Sequence, residues 1–88
     1  MEKTVTLVNR LGLHARAAAK LVQTAARFKA DIKIRKDKRT VSGKSIMGVL
    51  MLAAAYGTTL TLIAEGEDAA QALDALTQLV ADKFGEEA

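Results

Sequence analysis

The sequence predicts an α+β domain in which a four-stranded antiparallel sheet carries three helices on one face. Apolar and polar residues alternate in three segments, as is typical of half-buried strands, and a tight polar turn after the second of them leads into a fourth short strand. Apolar residues recur at helical spacing in two other segments, and a serine N-cap followed by an apolar run indicates a third, short helix. These segments follow one another in the order β-α-β-β-α-β-α, which fits a two-layer α+β domain. The chain has 88 residues and half of them are hydrophobic, so we expect a single domain over residues 1–88.

The predicted strands are short, and two of the three predicted helices are longer than any strand. Strands are expected at 2–8, 31–36, 39–42 and 58–65, and a tight polar turn makes a hairpin of the second and third. Helices are expected at about 15–27, 46–53 and 69–84, and residues 85–88 are expected to fray. In the first helix Ala18, Leu21 and Ala25 recur at helical spacing, so we expect their face to lie in the core.

The composition excludes several classes of function. With no cysteine and one histidine, the chain cannot supply the ligands of a zinc or iron–sulfur site, and we expect no metal or cofactor. No apolar run approaches the roughly 20 residues that span a bilayer, and the N-terminus lacks a signal-peptide pattern. We therefore expect a cytoplasmic monomer. The net charge of +3 is mild and would help an encounter with an acidic protein surface.

The only histidine, His14, lies between a turn and an alanine-rich helix. The sequence of residues 12–20 is Gly-Leu-His-Ala-Arg-Ala-Ala-Ala-Lys. Gly12 can adopt turn conformations that other residues avoid, and from Ala15 onwards the residues are mostly strong helix formers. His14 is therefore expected at or next to the N-cap, with Arg16 in the first turn of the helix.

This arrangement favours reversible phosphorylation of His14. A helix N-terminus has unpaired N–H groups and partial positive charge, so it suits an anion and favours the neutral, nucleophilic form of the imidazole. Arg16 adds a fixed charge and a fork of donors that match phosphate oxygens. The ordinary alternative is a solvated surface histidine or a substitute for a capping residue.

A second segment, at residues 42–52, adds to the information in the segment around His14. Its sequence is Ser-Gly-Lys-Ser-Ile-Met-Gly-Val-Leu-Met-Leu, in which Ser45 is suited to be the N-cap of the following helix. Residues 12–20 resemble the active-site motif of HPr, the histidine phosphocarrier of the bacterial phosphoenolpyruvate-dependent phosphotransferase system. Residues 42–52 look like the regulatory-serine segment of the same family. The resemblance covers essentially the whole chain.

The resemblance implies both a topology and a function. The topology is the open-faced β-sandwich of HPr, and the function is that of a phosphocarrier rather than an enzyme. His14 would accept phosphate on Nδ1 from phosphoenolpyruvate-loaded Enzyme I and pass it to an EIIA-type protein, with Arg16 stabilising the phosphate. Ser45 would be a regulatory phosphoserine and a substrate of HPr kinase/phosphorylase.

One residue departs from the usual form of the motif. Many sugar-transport HPr proteins have proline immediately after the active-site arginine, where this chain has Ala17. Proline is well suited to the first turn of a helix, whereas alanine is an excellent helix former. The alanine form looks like HPr variants that serve regulatory, nitrogen-related phosphorelays as well as sugar uptake, so the departure bears on the downstream acceptor.

The second helix is more apolar than one buried face requires. We expect Val49 and Leu52 in the core, and the resemblance implies that the remaining apolar side chains form a surface for docking partners, which methionine suits because it is flexible and polarizable. The predicted docking residues are Lys20, Gln23, Arg27, Ile46, Met47, Leu50 and Met51.

Two other functions are weighed against the phosphocarrier. A basic cluster on the predicted hairpin would suit a small nucleic-acid-binding domain, although strand aromatics are scarce and such charges more often solvate an edge strand. The cluster consists of Lys33, Arg35, Lys36, Lys38 and Arg39. The other alternative is a regulatory interaction module that is switched only at Ser45, against which the pair of His14 and Arg16 counts.

Overall fold

The computed structural model describes residues 1–88 and confirms the predicted α+β fold, with strands and helices in the predicted order. The strands are β1 (Glu2–Thr6), β2 (Asp31–Lys36), β3 (Arg39–Ser42) and β4 (Thr59–Glu65). The helices are α1 (Ala15–Ala26), α2 (Ile46–Met51) and α3 (Ala69–Ala81), and a 3₁₀ turn (Lys83–Gly85) follows. Several elements are shorter than predicted. No helix has the length and the apolar character that a crossing of a membrane requires.

All neighbouring strands of the sheet are antiparallel, in the spatial order β1-β4-β2-β3. One face of the sheet is buried, and Leu60, Leu62 and Ala64 of the central β4 are fully inaccessible to solvent. Because successive side chains of a strand point to opposite faces, the residues between them lie on the outer face. This two-layer arrangement leaves the ends of the helices accessible at the rim of the domain.

The core contains 22 buried hydrophobic residues from the sheet and all three helices. Ala18, Leu21 and Ala25 of α1 are buried as predicted, and Ala17 is buried beside them. Three of these four residues are alanines, whose small side chains let the helix backbone approach its neighbours closely. The position of α1 is therefore closely defined by packing.

The basic hairpin is attached to α2 through two of its cations. The Nζ atom of Lys36 donates to the carbonyl of Leu52 at 3.0 Å, and a guanidinium nitrogen of Arg39 donates to the carbonyl of Met51 at 3.0 Å. These carbonyls lie at the C-terminal end of α2, where cations satisfy unpaired carbonyls and interact favourably with the helix dipole. Part of the basic cluster thus stabilises the fold.

Asp68 connects the start of α3 to the loop between α1 and β2. Its carboxylate accepts hydrogen bonds from the backbone N–H groups of Lys29 at 2.9 Å and Ala30 at 2.8 Å. The hydrogen bond from Lys29 is the main reason why the pKa of the Asp68 carboxyl lies below its ordinary value. The sequence analysis expects an acidic residue at the start of this helix, but it does not predict the hydrogen bonds from Asp68 to the loop before β2.

The prediction of a frayed C-terminus is wrong. Helix α3 ends at Ala81 and not at residue 84, because Lys83 and Phe84 adopt left-handed backbone conformations with φ of 57° and 56°. The chain reverses there, and the backbone N–H of Arg10 donates to the carbonyl of Ala88 at 2.9 Å. We call residues 83–88 the C-terminal strap. The reversal depends on Phe84, which is completely buried and offsets the cost of an unfavourable backbone.

Phe84→Ala is therefore expected to lower the free energy of unfolding by about 3–5 kcal/mol, the usual cost of removing a buried phenylalanine. The measurement is urea denaturation at neutral pH. Phe28→Ala is the matched control, because Phe28 is only partly buried and its loss should cost clearly less. Equal losses at the two positions would show that the strap is not anchored by Phe84.

Candidate functional site

A left-handed turn places His14 at the end of α1. Gly12 has φ of +66°, and a Cβ atom added to it would lie 2.5 Å from the carbonyl oxygen of Ala54 and 2.8 Å from the Cα of Ala55. The next residue is held to the same segment, because the N–H of Leu13 donates to the carbonyl of Ala54 at 2.8 Å. Glycine is required here both for the backbone angle and for the close approach.

His14 is the N-cap of α1, as predicted, but its side chain does not cap the helix. Its carbonyl accepts the first helical hydrogen bond, from Ala18 at 2.8 Å. The N–H groups of Ala15, Arg16 and Ala17 donate to no group in the protein. These unpaired donors and the helix dipole make the end of α1 favourable for an anion.

The imidazole of His14 contacts the C-terminal strap, which the sequence analysis did not foresee. Its Nε2 atom is hydrogen-bonded to a carboxylate oxygen of Glu86, and the other carboxylate oxygen accepts from the amide of Asn9 at 3.0 Å. The same Asn9 amide donates to the carbonyl of Gly12 at 2.8 Å. Asn9 and Glu86 thus belong to the site, although residues 85–88 gave no local sequence signal that they return to the helix.

Hydrogen bonding keeps Glu86 ionised. The amide of Asn9 contributes most to lowering the pKa of the Glu86 carboxyl below its ordinary value, and the hydrogen bond and charge of His14 act in the same direction. Desolvation opposes this effect but does not cancel it. The side chain of His14 keeps 30% of its surface accessible while Glu86 keeps 15%, so the ring remains open to an incoming group.

The other predicted site residues on α1 differ in whether their side chains are already bonded to the protein. Arg16 is exposed and makes no hydrogen bond or ion pair with the protein, so its guanidinium is available to a ligand. Lys20 is engaged instead, because its Nζ atom donates to the carbonyl of Phe84 at 2.6 Å. Gln23 and Arg27 are exposed further along the helix, and the Arg27 guanidinium lies 5.6 Å from the ring centre of Phe28.

Ser45 is the N-cap of α2, as its sequence position predicts. Its hydroxyl oxygen accepts a hydrogen bond from the N–H of Gly48 at 3.1 Å, and its backbone is extended. This is the standard geometry by which serine satisfies an unpaired helical donor. The capping interaction accounts for the residue structurally, and a phosphate at this position would also lie at a helix N-terminus.

Helix α2 exposes only some of the predicted apolar surface. Val49 and Leu52 are buried, as predicted, whereas Leu50 is half-buried against the core and contributes little to the surface. The exposed apolar side chains of α2 are Ile46, Met47 and Met51. Outside α2 the exposed large apolar side chains include Leu11 in the loop before His14 and Tyr56 after α2, whose exposure the sequence analysis missed.

No cleft of the structure is lined by His14 or Arg16. A small substrate would therefore have little surface to bind beside the imidazole, because ligand sites of enzymes are usually concave. An open helix end suits a reaction in which a second protein brings the other reactant. The geometry favours a macromolecular partner.

Comparison with known proteins agrees with this geometry. The family model described as "PTS HPr component phosphorylation site" matches residues 1–82. The chain belongs to the HPr family. Phosphocarrier protein HPr of Cupriavidus necator is 50% identical to it over 86 residues, which are 98% of this chain and 97% of that protein. Phosphocarrier protein NPr of Shewanella violacea is 48% identical over 98% of this chain and 94% of that protein.

The structure agrees with that of a solved HPr. The crystal structure of HPr-C-His from Thermoanaerobacter tengcongensis superposes with a TM-score of 0.96 at 45% identity, covering 100% of this chain and 99% of that one. The predicted open-faced sandwich is thereby confirmed. HPr proteins are phosphocarriers of the phosphotransferase system and not enzymes, so this member of the family is a phosphocarrier rather than an enzyme.

Gly12→Ala is expected to destabilise the domain by more than about 2 kcal/mol, because it adds a clash to the roughly 1–2 kcal/mol cost of a left-handed non-glycine residue. The measurement is the free energy of unfolding in urea. Gly57→Ala isolates the backbone contribution, since Gly57 has φ of +84° and open space around the added Cβ. Equal costs at the two positions would contradict the close packing of Gly12 on Ala54.

Proposed function

We propose that His14 accepts a phosphoryl group on Nδ1 from phosphoenolpyruvate-loaded Enzyme I and passes it to an EIIA-type protein. The observation that carries the proposal is the position of the single imidazole at an open helix N-terminus with three unpaired N–H groups. Since Nε2 is engaged by Glu86, Nδ1 is the ring nitrogen with a free lone pair. Imidazole suits a carrier because it is nucleophilic and phosphohistidine readily gives up its phosphate.

Arg16 and the end of α1 stabilise the phosphate in this proposal. Both supply donors and positive charge on the side of the helix where the new anion forms. Interactions of a charge with a helix end contribute on the order of 0.3–2 kcal/mol each. Stabilisation of this size favours loading of the carrier without trapping the phosphate.

The docking surface for both partners consists of the exposed residues of α1 and α2. Ile46, Met47 and Met51 supply an apolar patch, and Arg16 and Arg27 supply positive charge along α1. This combination suits a partner whose surface has an apolar centre and acidic surroundings. Lys20, Gln23 and Leu50 complete the proposed docking set. Lys20 and Leu50 offer less free surface, because the Lys20 ammonium group is bonded to the strap and Leu50 is half-buried.

The acceptor belongs to sugar uptake or to a nitrogen-type regulatory phosphorelay. Relatives named HPr and NPr are almost equally similar to this chain, at 50% and 48% identity. Ala17 replaces the proline common in sugar-transport members, and its buried side chain is compatible with regular helix from the first turn. We therefore propose both sugar uptake and a nitrogen-type regulatory phosphorelay as pathways to which the acceptor protein could belong.

Ser45 regulates docking in this proposal. Phosphorylation by an HPr kinase/phosphorylase would add about two negative charges at the N-terminus of α2. The helix end would tolerate the charge, so the fold would persist. An acidic partner would be repelled, because Ile46 and Met47 of the apolar patch directly follow the modified residue.

The proposal predicts that incubation with phosphoenolpyruvate and Enzyme I adds one phosphoryl group, which mild acid removes. Intact-mass analysis measures the gain, and acid lability distinguishes phosphohistidine from a phosphoserine ester. His14→Ala should show no gain. Arg16→Ala should still be loaded, at a rate reduced roughly 2- to 30-fold, as expected for the loss of one charge interaction at the helix end.

Arg35→Ala is the matched control for Arg16→Ala, because it removes an arginine on the sheet, where Arg35 contacts Glu2. The loading rate of Arg35→Ala should equal that of the unmodified chain. Absence of loading in a folded chain, with an Enzyme I shown to be active on another carrier, would refute the proposal. Loading of His14→Ala would place the phosphate on a different residue.

Ser45→Asp is expected to keep the stability of the chain, because aspartate is also a good N-cap, while loading by Enzyme I becomes slower. Ser45→Ala should show the reverse pattern: its free energy of unfolding should fall by about 0.5–2 kcal/mol, and its loading rate should stay unchanged. Thr40→Asp, at an exposed position of β3, controls for net charge. Equal slowing in Ser45→Asp and Thr40→Asp would show that position 45 has no special effect.

A further inference from the structure

The C-terminal strap brings a carboxylate to the ring nitrogen of His14 that faces away from the proposed phosphate. Glu86 is 72 residues from His14 in the sequence, and its two carboxylate oxygens contact two different side chains of the site. One oxygen is bonded to Nε2 of His14 and the other to the Asn9 amide. Such a bridged carboxylate is held in one orientation.

The strap is anchored on both sides of Glu86. Before it, Phe84 is buried and its carbonyl accepts from Lys20 at 2.6 Å. After it, the carbonyl of Ala88 accepts from the N–H of Arg10 at 2.9 Å. Lys83 and Phe84 have φ of 57° and 56°, a conformation that persists in residues other than glycine only when surrounding contacts impose it. Unfavourable backbone conformations just before Glu86 are therefore needed to bring its side chain to the site.

An ionised carboxylate can only accept hydrogen bonds, so the nitrogen it contacts must carry a proton. Hydrogen bonds from Asn9 and His14 keep the pKa of the Glu86 carboxyl below its ordinary value, and the group is therefore ionised at neutral pH. Nε2 of a neutral His14 is then the protonated nitrogen. Nδ1 keeps its lone pair outside the contact with the strap.

We propose that Glu86 is a positioning residue for phosphoryl transfer, which holds His14 in the tautomer and ring orientation that present Nδ1 to the incoming phosphorus. This inference rests on the proposed function of His14 as the phosphate acceptor. Asn9 supports Glu86 by fixing its second carboxylate oxygen, and the strap supplies the carboxylate at the required place.

The proposed step is balanced in atoms and charge. The Nδ1 lone pair attacks the phosphorus of a phosphohistidine on the donor protein, the donor P–N bond breaks, and its electron pair returns to the donor imidazole. The ring of His14 keeps its proton on Nε2 and so becomes cationic when Nδ1 gains phosphorus. The Glu86 carboxylate stabilises that cation. On onward transfer the Nδ1–P bond breaks and its electron pair returns to Nδ1.

The decisive measurement is the tautomer of the unphosphorylated histidine, observed by ¹⁵N NMR on a chain without a histidine tag. His14 is the only histidine, so both imidazole nitrogen signals belong to it, and their different couplings to the ring C–H protons distinguish Nδ1 from Nε2. Above the pH range of imidazole protonation, we expect the Nε2–H tautomer to dominate in the unmodified chain. In Glu86→Gln, whose neutral amide can donate as well as accept, the two tautomers should both be populated.

Glu87→Gln is the matched control, since Glu87 is the next residue, is exposed and makes no hydrogen bond or ion pair through its side chain. It should keep the tautomer and the loading rate of the unmodified chain. Glu86→Gln should be loaded by phospho-Enzyme I roughly 10-fold more slowly, the size of effect expected for one hydrogen bond to a charged group. Backbone NMR spectra establish that each variant remains folded.

The outcomes separate this inference from the proposed function. Normal loading of both variants with an unchanged tautomer would overturn the role of Glu86 and leave the phosphocarrier function intact. A changed tautomer with an unchanged loading rate would overturn it as well, because the orientation would then not matter for transfer. Absence of loading in every chain, including the unmodified one, would overturn the proposed function and this inference with it.

Discussion

The contact of Gly12 with the carbonyl of Ala54 is the constraint on which the rest of the site depends. It joins the loop before α1 to the segment after α2, and the hydrogen bond from Leu13 to the same carbonyl fixes the joint. Because the chain turns sharply there, α1 begins at the surface with three N–H groups unpaired. The same contact joins the start of α1 to the segment after α2, so that it connects the histidine motif to the helix that carries the serine motif.

In the proposed function an open site is a physical requirement, because the carrier reacts with two different proteins in turn. Each reaction needs the attacking and leaving groups in line with the phosphorus, and a deep pocket around His14 would prevent partners from supplying either group. The stability of the domain must then come from elsewhere. It comes from the core, to which the small buried residues of α1 and the buried Val49 and Leu52 of α2 contribute. The N-terminal end of α1, where phosphorylation is proposed, can therefore stay open without loss of stability.

The sequence predicts elements well where local patterns and tertiary packing agree. The alternation in β2 and β4 and the helical spacing of Ala18, Leu21 and Ala25 coincide with the buried positions. The strap was missed because the same spacing continues to Phe84 and predicts more helix, whereas burial of Phe84 is achieved through a left-handed turn. No local preference of lysine or phenylalanine signals that conformation. Asn9 and Glu86, which are brought together by this turn, were missed for the same reason.

In the proposed carrier, groups of opposite charge act on the two nitrogen atoms of the His14 ring. Arg16 and the end of α1 stabilise a phosphate on Nδ1, and if they acted alone they would favour retention of the phosphate. Glu86 lies at Nε2, where in the proposed step it holds the proton of the ring while Nδ1 carries the phosphate. A protonated imidazole is the better leaving group, because it departs as a neutral molecule when the P–N bond breaks. In this proposal the carboxylate acts on both steps, because it orients the ring for uptake and keeps on Nε2 the proton that lets the ring leave as a neutral molecule.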